Sequence, residues 1–463
     1  MSESFWANQT PFTLREIVDA TGGNVVGEDI EYSIAMRGVS TDSRAIQPNS
    51  LFVALRGERF DGHDFLHQVA QSGATVAVVE DENLAPQGLI CVRVLDTLKA
   101  LGDLARFHRE RFDIPMIGVT GSYGKTTTRA FIAAASSPLG KILASRENFN
   151  NEIGVPQTLF GLDASHKAAI IEMGMRGAGQ IDYLAKVAKP TIGVITNIGP
   201  QHIEMLGSLE NIARAKAELI ENLSPDGLAI LPAEGDFSDL LIETAQKVGC
   251  RIVTFGTSEK SDFRVSSTRT LENGFVEAEF KVQSSKFKIV LPLPGAHNAT
   301  NAAVAFAVAH ELGIDLNQAA RALENVEVPG ARMRIVRVSE LTILDDCYNA
   351  GPNSMRAALK TLRDFPKAKR RVAVLGAMKE LGSFSEEEHR KIAQLATDIC
   401  DIVLFVGEEF AKVTFGKYRN VTAFEDANEA ANRVLDIVKS GDVVLVKGSR
   451  SVGLETVVSA LAQ

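Results

Sequence analysis

Cysteine is scarce in this sequence, and the residues present are far apart. Four occur in 463 residues, and no pair has the C-x-x-C spacing. This distribution argues against a disulfide framework and against a zinc site, because both need clustered cysteines. We therefore expect buried thiols that serve packing at Cys91, Cys250, Cys347 and Cys400.

An excess of basic charge and long apolar runs are also lacking. Lys and Arg number 49 against 58 Asp and Glu, for a net charge of −9, and no basic run occurs. A nucleic acid is therefore not an expected partner. No stretch of about 18 apolar residues occurs, and the stretch MSESFWANQTPFTLREIVDA has no signal-peptide core. We expect no membrane insertion, and a cytoplasmic monomer.

The remaining composition is that of an ordinary globular protein, with 45% hydrophobic and 23% charged residues. At about 100 to 200 residues per domain, the length predicts about three domains. We place them at 1–110, 111–328 and 329–463. Short apolar runs alternate with helical patterns in all three, so the predicted class is α/β.

The central segment predicts a mostly parallel sheet. The strands at 168–173 and 191–198 are apolar on both faces, as in a parallel sheet that helices cover. Between 251 and 292 the pattern becomes alternating, which suggests an antiparallel insert or edge. A pair of helices follows, in AHNATNAAVAFAVAHELG and DLNQAARALENV.

The segment 326–334 carries Pro329 and Gly330 and is predicted to be a linker. The alternation of strands and helices resumes after it, in RRVAVLGAM, CDIVLFVG and DVVLVKG. The predicted helices of this last domain lie at about 353–364, 385–398 and 426–438. A Rossmann-like α/β domain is therefore expected at the carboxyl end.

The stretch GVTGSYGKTTT, residues 118–128, has the order of a phosphate-binding loop. A strand ends near Thr120, Gly121 and Gly124 relieve backbone crowding, and Lys125 and Thr126 open a helix. Loop amides and a helix N-terminus attract phosphate, the lysine reaches the β and γ phosphates, and the threonine hydroxyl suits Mg²⁺. The loop is two residues shorter than G-x-x-x-x-G-K-[ST]. A glycine-containing turn with a capping threonine is the alternative interpretation.

Two polar residues follow apolar strands and are candidate metal ligands. Glu172 ends the strand AAIIE, and His202 follows TIGVITNIGPQ. Ligands of open α/β sheets bind beyond the carboxyl ends of the strands, so both residues are placed where a ligand is expected. A solvated strand end and a surface histidine are the alternatives.

Lys216 interrupts an apolar stripe on the helix SLENIARAKAELIENL. It follows Ile212 by four residues and precedes Leu219 by three, which puts all three on one face. Burial disfavours the ammonium form, so a lysine here has an amine available for Schiff-base formation or for carbamylation by CO₂. The alternative is a lysine at the edge of the stripe that reaches water.

Taken together, these motifs resemble the Mur ligase family nearly from end to end. The match comprises STDSRAIQPNSLFVALRGERFDGHDFL, TGSYGKTTT, NFNNEIGVPQTL, EMGMRGAGQI, TNIGPQHIE, GSLENIARAKAELI, LDDCYNAGPNSM, LGAMKELG and VKGSRSVGLE. The family loop itself has the short G-x-x-G-K-T form. NFNNEIG and the YNA-P-SM pattern favour the branch that adds D-alanyl-D-alanine over its sister ligases.

The resemblance implies three domains, namely a small uridine-nucleotide domain, a central P-loop-type ATPase domain and a Rossmann-like domain. It also implies a two-step reaction that uses ATP and Mg²⁺. ATP phosphorylates the terminal carboxylate of a UDP-N-acetylmuramoyl-tripeptide, and the amine of D-alanyl-D-alanine then attacks the acyl phosphate. Such a reaction brings anions together, which calls for a metal ion and cations near the γ phosphate.

The resemblance further implies roles for individual residues. Lys125 holds phosphates, Thr126 and Glu172 bind a first Mg²⁺, His202 binds a second, and Lys216 is either a carbamylated metal ligand or a direct stabiliser of the acyl phosphate. The ATP-contacting residues are Gly121, Ser122, Tyr123, Gly124, Lys125, Thr126, Thr127, His297, Asn298, Asn301, Arg332 and Asp346. The substrate-contacting residues are Thr41, Ser43, Arg44, Asn148, Asn150 and Asn151.

Three positions depart from the family pattern. Tyr123 stands where asparagine or serine is common, Ala377 replaces a frequent aspartate, and Gly351 replaces a frequent asparagine. The last two concern dipeptide binding and domain closure. The alternatives are a diaminopimelate- or lysine-adding ligase, a folylpolyglutamate-type ligase, and a P-loop ATPase that ligates nothing. The uridine-type domain argues against the folate enzyme, and NFNNEIG argues against the diaminopimelate enzyme.

Overall fold

The computed structural model describes residues 8–26, 30–84, 86–414 and 420–463. Within these ranges the chain has the predicted α/β class, with strands arranged in four sheets. No helix of the described residues combines the length and the apolar character needed to cross a bilayer.

The chain divides into two compact units. The first comprises Met1–Gly118, Gly140–Gly174 and Gln180–Thr191, and the second comprises Val119–Leu139, Met175–Gly179 and Ile192–Gln463. The predicted boundaries at 110 and 328 stay a prediction.

The amino-terminal residues form two small sheets. The strands are β1 (Pro11–Thr13), β2 (Asn24–Val26), β3 (Ala35–Arg37), β4 (Val39–Ser40), β5 (Ser50–Val53), β6 (Ala74–Val79) and β7 (Ile90–Arg93), and the helices are α1 (Leu14–Thr21), α2 (Leu66–Gln71) and α3 (Thr97–Arg109). β1 pairs with β3, and the other strands form a sheet in the order β2-β7-β6-β5-β4. A capping box starts α1, because Thr13 Oγ1 accepts from the Glu16 amide and the Glu16 carboxylate accepts from the Thr13 amide.

The central residues supply one nine-stranded sheet. Its strands are β8 (Met116–Thr120), β9 (Lys141–Ala144), β10 (His166–Glu172), β11 (Ile192–Ile195), β12 (Leu228–Pro232), β13 (Arg251–Gly256), β14 (Phe263–Thr270), β15 (Val276–Val282) and β16 (Ser285–Leu291). The helices are α4 (Lys125–Ser136), α5 (Gly154–Leu159), α6 (Gln180–Ala188), α7 (Ile203–Leu206), α8 (Leu209–Glu221), α9 (Ser238–Val248), α10 (His297–Glu311) and α11 (Leu316–Leu323). The strand order is β16-β15-β14-β13-β12-β11-β8-β10-β9.

The predicted antiparallel edge is present, but it begins later than expected. β14, β15 and β16 pair antiparallel, whereas β13, which lies inside the predicted stretch, pairs parallel to both β12 and β14. Helix α9 separates β12 from β13 and returns the chain in the same direction, as parallel pairing requires. The predicted helix pair is confirmed as α10 and α11.

The carboxyl-terminal residues form a six-stranded sheet in the order β17-β18-β22-β19-β20-β21. Its strands are β17 (Arg334–Val338), β18 (Leu341–Asp345), β19 (Arg370–Gly376), β20 (Ile402–Val406), β21 (Val421–Phe424) and β22 (Asp442–Lys447). The helices are α12 (Pro352–Asp364), α13 (Ser385–Ile399), α14 (Glu408–Thr414), α15 (Ala427–Ile437) and α16 (Glu455–Leu461). The three predicted helices are confirmed as α12, α13 and α15, while the antiparallel hairpin β17–β18 was not predicted.

The four cysteines are buried and unpaired, as predicted. Burial raises the pKa of the Cys91 thiol to about 11, because the thiolate is poorly solvated there. These thiols therefore act as small apolar packing residues.

Acid is expected to destabilise the first unit through His108. This residue is 1% exposed, its Nε2 donates to the Leu162 carbonyl at 3.1 Å, and its Nδ1 accepts from Arg111 at 3.3 Å. Burial lowers the pKa of His108 from 6.5 to about 4, so between these values the unfolded chain binds the extra proton. The unfolding free energy should therefore fall as pH drops from 6.5 through about 4, by up to about 3 kcal/mol.

Urea unfolding across this pH range measures the effect. His108→Gln should flatten the dependence, while His67→Gln, which changes an exposed histidine of α2, should leave it as in the parent. An unchanged slope in His108→Gln would contradict the assignment.

Candidate active site

The predicted phosphate loop joins β8 to α4 in the second unit. Gly124 is the residue before the helix, with φ of 76° and ψ of 0°, and it has no side chain to cap the first amides of α4. These amides are therefore directed toward whatever anion occupies the loop. Thr126 and Thr127 lie in the first helical turn and are buried.

A neighbouring segment fixes the shape of the loop. Ser122 exchanges two hydrogen bonds of 2.9 Å with Gly199, through its Oγ. The Tyr123 amide donates to Asn197 Oδ1 at 2.9 Å, and its carbonyl accepts from Thr196 Oγ1 at 2.7 Å. The motif TNIGP was expected only to precede His202. The motif follows β11 and the loop follows β8, and these two strands are neighbours in the sheet. Pairing these two strands from the sequence would have placed the motif beside the loop.

Gly121 is required by a close approach to Thr196. Its φ is 145°, and a Cβ at this position would lie 1.9 Å from Thr196 Oγ1. Both the backbone conformation and the lack of space exclude a side chain here. Gly121 was predicted to relieve backbone crowding, and Thr196 is the residue that would be crowded.

Lys216 is buried, as its position in the apolar stripe predicted. It is 1% exposed on α8, beside the fully buried Ile212 and Leu219. Burial lowers the pKa of Lys216 well below its usual value, and the charge of Lys125 adds to this effect. Burial therefore makes the neutral amine of Lys216 more accessible than that of an exposed lysine.

The Lys125 ammonium lies at the phosphate loop, where it can contact a bound phosphate. Its Nζ donates to the Gly121 carbonyl at 2.7 Å and also approaches the Ser122 carbonyl at 3.4 Å. It acts electrostatically on both Lys216 and His202. The structure thus brings these three predicted residues into one electrostatic neighbourhood.

His202 has a strained backbone and a carboxylate partner. Its φ of 58° is uncommon for a residue with a side chain, and such strain is concentrated at functional sites. Its Nδ1 lies 2.5 Å from Glu380 Oε2. Burial lowers the pKa of His202, the Glu380 carboxylate opposes that shift, and the two lysines reinforce it. Glu380 lies in the motif LGAMKELG, but its pairing with His202 was not predicted.

The residues predicted for adenosine adjoin the phosphate loop. Asn301 Nδ2 donates to Asn298 Oδ1 at 3.1 Å, which confirms that the two share one face of α10. Asn301 Oδ1 accepts from Thr128 at 3.2 Å, and it would lie 3.1 Å from a Cβ at Gly124. His297 lines a cleft of about 810 Å³ together with Asn353, Arg356 and Lys360 of α12.

Arg332, inside the predicted linker, and Asp346, after it, lie in short networks of contacts. The Arg332 guanidinium stacks 3.8 Å from the centre of the Tyr348 ring. Asp346 accepts from Lys447 Nζ at 2.6 Å and from the Met333 amide at 3.1 Å. Lys447 was not predicted as a site residue, although it stands at the end of β22. The contacts of Arg332 and Asp346 with a nucleotide stay a prediction.

In the first unit, Glu172 and the asparagine cluster are brought together. Asn150 Nδ2 donates to Glu172 Oε1 at 3.0 Å, and the Glu172 amide donates to Ser145 Oγ at 3.0 Å. Asn151 Oδ1 accepts from the Gly154 amide and so starts α5, while the Asn148 carbonyl accepts from the Asn150 amide at 2.7 Å. Asn150 thus orients the predicted metal ligand.

The other three residues predicted to contact the substrate, Thr41, Ser43 and Arg44, lie in the same unit. Thr41 Oγ1 accepts from Gln157 Nε2 at 2.9 Å. Ser43 and Arg44 form a 3-10 turn that Asp42 caps, and Arg44 NH2 lies 2.7 Å from Asp42 Oδ2. The Arg44 pairing lowers the pKa of Asp42. Arg44 is mainly solvent-exposed, so its guanidinium is accessible to a ligand.

Comparisons with family models cover most of the chain. Residues 35–109 match the Mur ligase family catalytic domain, residues 119–309 the Mur ligase middle domain, and residues 331–450 the Mur ligase glutamate ligase domain.

Named relatives match over nearly their whole length. The UDP-N-acetylmuramoyl-tripeptide–D-alanyl-D-alanine ligase of Synechocystis is 40% identical, over 94% of this chain and 93% of the relative. The ligase of the same name from Escherichia coli is 35% identical, over 97% of this chain and 98% of the relative.

Solved structures agree with these relatives. MurF from Acinetobacter baumannii superposes with a TM-score of 0.91 at 32% identity, covering 98% of this chain and 99% of that one. MurF from Thermotoga maritima, solved with ADP, has a TM-score of 0.82 at 28% identity and covers 92% and 96% of the two chains. Sequence and structure thus lead to the same conclusion, that the chain belongs to the Mur ligase family.

Proposed function

We propose that this chain is an ATP-dependent amide ligase that joins D-alanyl-D-alanine to UDP-N-acetylmuramoyl-tripeptide in peptidoglycan precursor synthesis. The observation that carries the proposal is the 40% identity, over 94% of the chain, to a ligase of that name. The described site is consistent with it, because it combines a phosphate loop with a buried lysine and a paired histidine.

ATP is the proposed nucleotide. The uncapped amides of α4 and the Lys125 ammonium suit the β and γ phosphates, and Asn298 and Asn301 offer amide groups for the adenine. The Thermotoga maritima relative was solved with ADP, which supports an adenine nucleotide. Arg332 and Asp346 are proposed to complete the ATP site.

Mg²⁺ is the proposed metal ion. Within the described ranges, no group of three or more His, Cys, Asp or Glu side chains is gathered as a metal cage. Mg²⁺ usually takes only one or two carboxylates together with phosphate oxygens, so a cage is not needed. Thr126, Glu172, His202 and a carbamylated Lys216 are the proposed ligands. When bound, the ion neutralises charge that develops on the phosphates.

The proposed reaction proceeds in two steps. A carboxylate oxygen of the tripeptide attacks the γ phosphorus, the bond to ADP breaks, and an acyl phosphate forms. The neutral amine of the dipeptide then attacks the acyl carbon, phosphate leaves, and the amine proton is lost to a base or to water. Lys125 is proposed to hold the phosphate oxygens through the first step, because it is a cation at the loop.

ADP release tests the function directly. The assay contains ATP, Mg²⁺ and UDP-N-acetylmuramoyl-tripeptide with either diaminopimelate or lysine as the third residue, with and without D-alanyl-D-alanine. Turnover that depends on the dipeptide is expected, because the acyl phosphate needs an amine to complete the reaction. Dipeptide-independent ATP hydrolysis would refute the ligase assignment. Turnover with free diaminopimelate or lysine on a dipeptide substrate would identify a sister ligase. A cytoplasmic location and a monomeric state stay predictions.

A further inference from the structure

The side chain of Tyr123 has a setting that the nucleotide chemistry does not explain. Tyr123 lies in the phosphate loop, yet its ring packs against two glycines. A Cβ at Gly199 would lie 2.6 Å from Tyr123 Cε2, and a Cβ at Gly351 would lie 2.9 Å from Tyr123 Cε1. The Tyr123 side chain is half-buried, and burial raises the pKa of its hydroxyl.

The two glycines belong to different sheets. Gly199 follows β11 of the nine-stranded sheet, while Gly351 precedes α12, which packs with the six-stranded sheet. The beginning of α12 is itself well anchored. Arg356 donates to Asn353 Oδ1 at 3.0 Å and pairs with Glu388 of α13 at 2.5 Å. The Tyr123 ring therefore connects the phosphate loop to Gly351, at the anchored beginning of α12.

The backbone of Tyr123 is equally well fixed. Its amide and carbonyl are held by Asn197 and Thr196, so a movement of the loop must move the ring. Tyr123 and Gly351 are in contact, and the missing side chain at 351 leaves the space that the ring fills.

We propose that Tyr123 is a positioning residue that couples the phosphate loop to α12. Through this contact it holds α12, and the carboxyl-terminal sheet on which α12 packs, in a fixed position relative to bound nucleotide. The inference rests on the proposed function. Loop and sheet are coupled because an aromatic ring between two backbone surfaces makes a wide contact with little conformational freedom to lose. Nucleotide that orders the loop must then stabilise the contact between Tyr123 and the start of α12. By linkage, that contact must increase the affinity for nucleotide.

Tyr123→Ser is the first test. The contact with both glycines is lost, while the phosphate-binding amides remain. We expect kcat to fall about 10-fold, in the middle of the range for contacting pairs, and ADP affinity measured by calorimetry to fall by no more than the same factor, because coupling is reciprocal. Tyr123→Phe should stay within about twofold, since the ring contacts persist. Tyr32→Ser removes a half-exposed tyrosine elsewhere and is the control.

A second measurement reads the coupling without any ligation. ADP should slow hydrogen exchange of the α12 backbone amides in the parent protein, because the loop proposed to bind ADP holds the Tyr123 ring against Gly351 at the start of α12. In Tyr123→Ser, at saturating ADP, that protection should be lost. Equal protection in parent and variant would overturn the proposal. Because neither binding nor hydrogen exchange needs the second substrate, a failed ligase assay would not be mistaken for a failed coupling.

A double-mutant cycle gives the sharpest outcome. Gly351 has an extended backbone, with φ of −154° and ψ of 166°, so alanine is tolerated there except for its overlap with the ring. Gly351→Ala should lower kcat about 10-fold, and the double variant with Tyr123→Ser should stay within about threefold of either single variant, whereas independent effects would multiply to about 100-fold. Each variant is checked for an unchanged melting temperature. If the double variant is as impaired as the product of the single effects, the residues do not act as a pair and the proposal fails.

Discussion

Lys216→Ala is expected to lower kcat by about 10²- to 10³-fold, the usual effect of removing one group that stabilises developing charge. The side chain is 1% exposed, and its pKa is lowered by burial and by Lys125. A neutral amine reacts with CO₂ to give a carbamate, which is a carboxylate-like oxygen ligand. In either of the two proposed roles, the substitution removes the group near the phosphates and leaves the rest of α8 in place.

Chemical rescue distinguishes the two roles considered for Lys216. If the lysine is carbamylated, acetate or formate should restore part of the activity of Lys216→Ala, and isotopically labelled bicarbonate should give a carbamate signal in the parent protein. If the ammonium acts directly, small amines should rescue and carboxylates should not. Lys216→Met keeps the apolar volume and should be inactive but folded.

The matched control lies two residues away on the same helix. Arg214 is exposed and pairs only with Glu210 across one helical turn, so Arg214→Ala should stay within about twofold of the parent. A fully active Lys216→Ala would refute both roles.

Gly121→Ala is expected to weaken ADP binding by about 100-fold or more. The added Cβ would lie 1.9 Å from Thr196 Oγ1 and 3.0 Å from the Thr196 backbone nitrogen, so the loop has to move. A non-glycine residue at a φ of 145° adds strain of about 1 to 3 kcal/mol. Both effects displace the amides that meet the phosphates, and calorimetry with ADP measures the loss.

Gly124→Ala provides the graded comparison. Its Cβ would meet Asn301 Oδ1 at 3.1 Å, which is the end of a side chain that can shift. The left-handed backbone at Gly124 costs about 1 to 2 kcal/mol for alanine, so a loss of about tenfold in ADP affinity is expected. A larger effect at Gly124 than at Gly121 would contradict the account of the loop.

Local features of the site were predictable from sequence because neighbouring residues determine them. The order of strand, glycine loop, lysine and helix identified residues 118–128, since this chemistry is contiguous. The burial of Lys216 followed from its spacing on a helix, which fixes which residues share a face. The pairing of Asn298 with Asn301 followed from the same geometry.

Contacts between distant residues could not be predicted in this way. His202 with Glu380, Asp346 with Lys447, and Tyr123 with Gly351 join residues separated by about 100 positions or more. Periodicity carries no information about which sheet edges face each other, so the sequence offered no reason to pair them. The extent of the antiparallel edge was misjudged for a related reason, because strand direction depends on the connecting helix.

The amino-acid sequence by itself determined the α/β class, the phosphate loop, the buried lysine and the family. Each rests on local spacing or on a contiguous motif. The tertiary structure alone decided that Thr196 requires Gly121, that Glu380 pairs with His202, and that Tyr123 fills the space left at Gly351. The first contact depends on which strands of the nine-stranded sheet are neighbours, and the other two depend on how residues that follow its strands pack against residues of the carboxyl-terminal part. Packing is set by the whole chain rather than by any one segment.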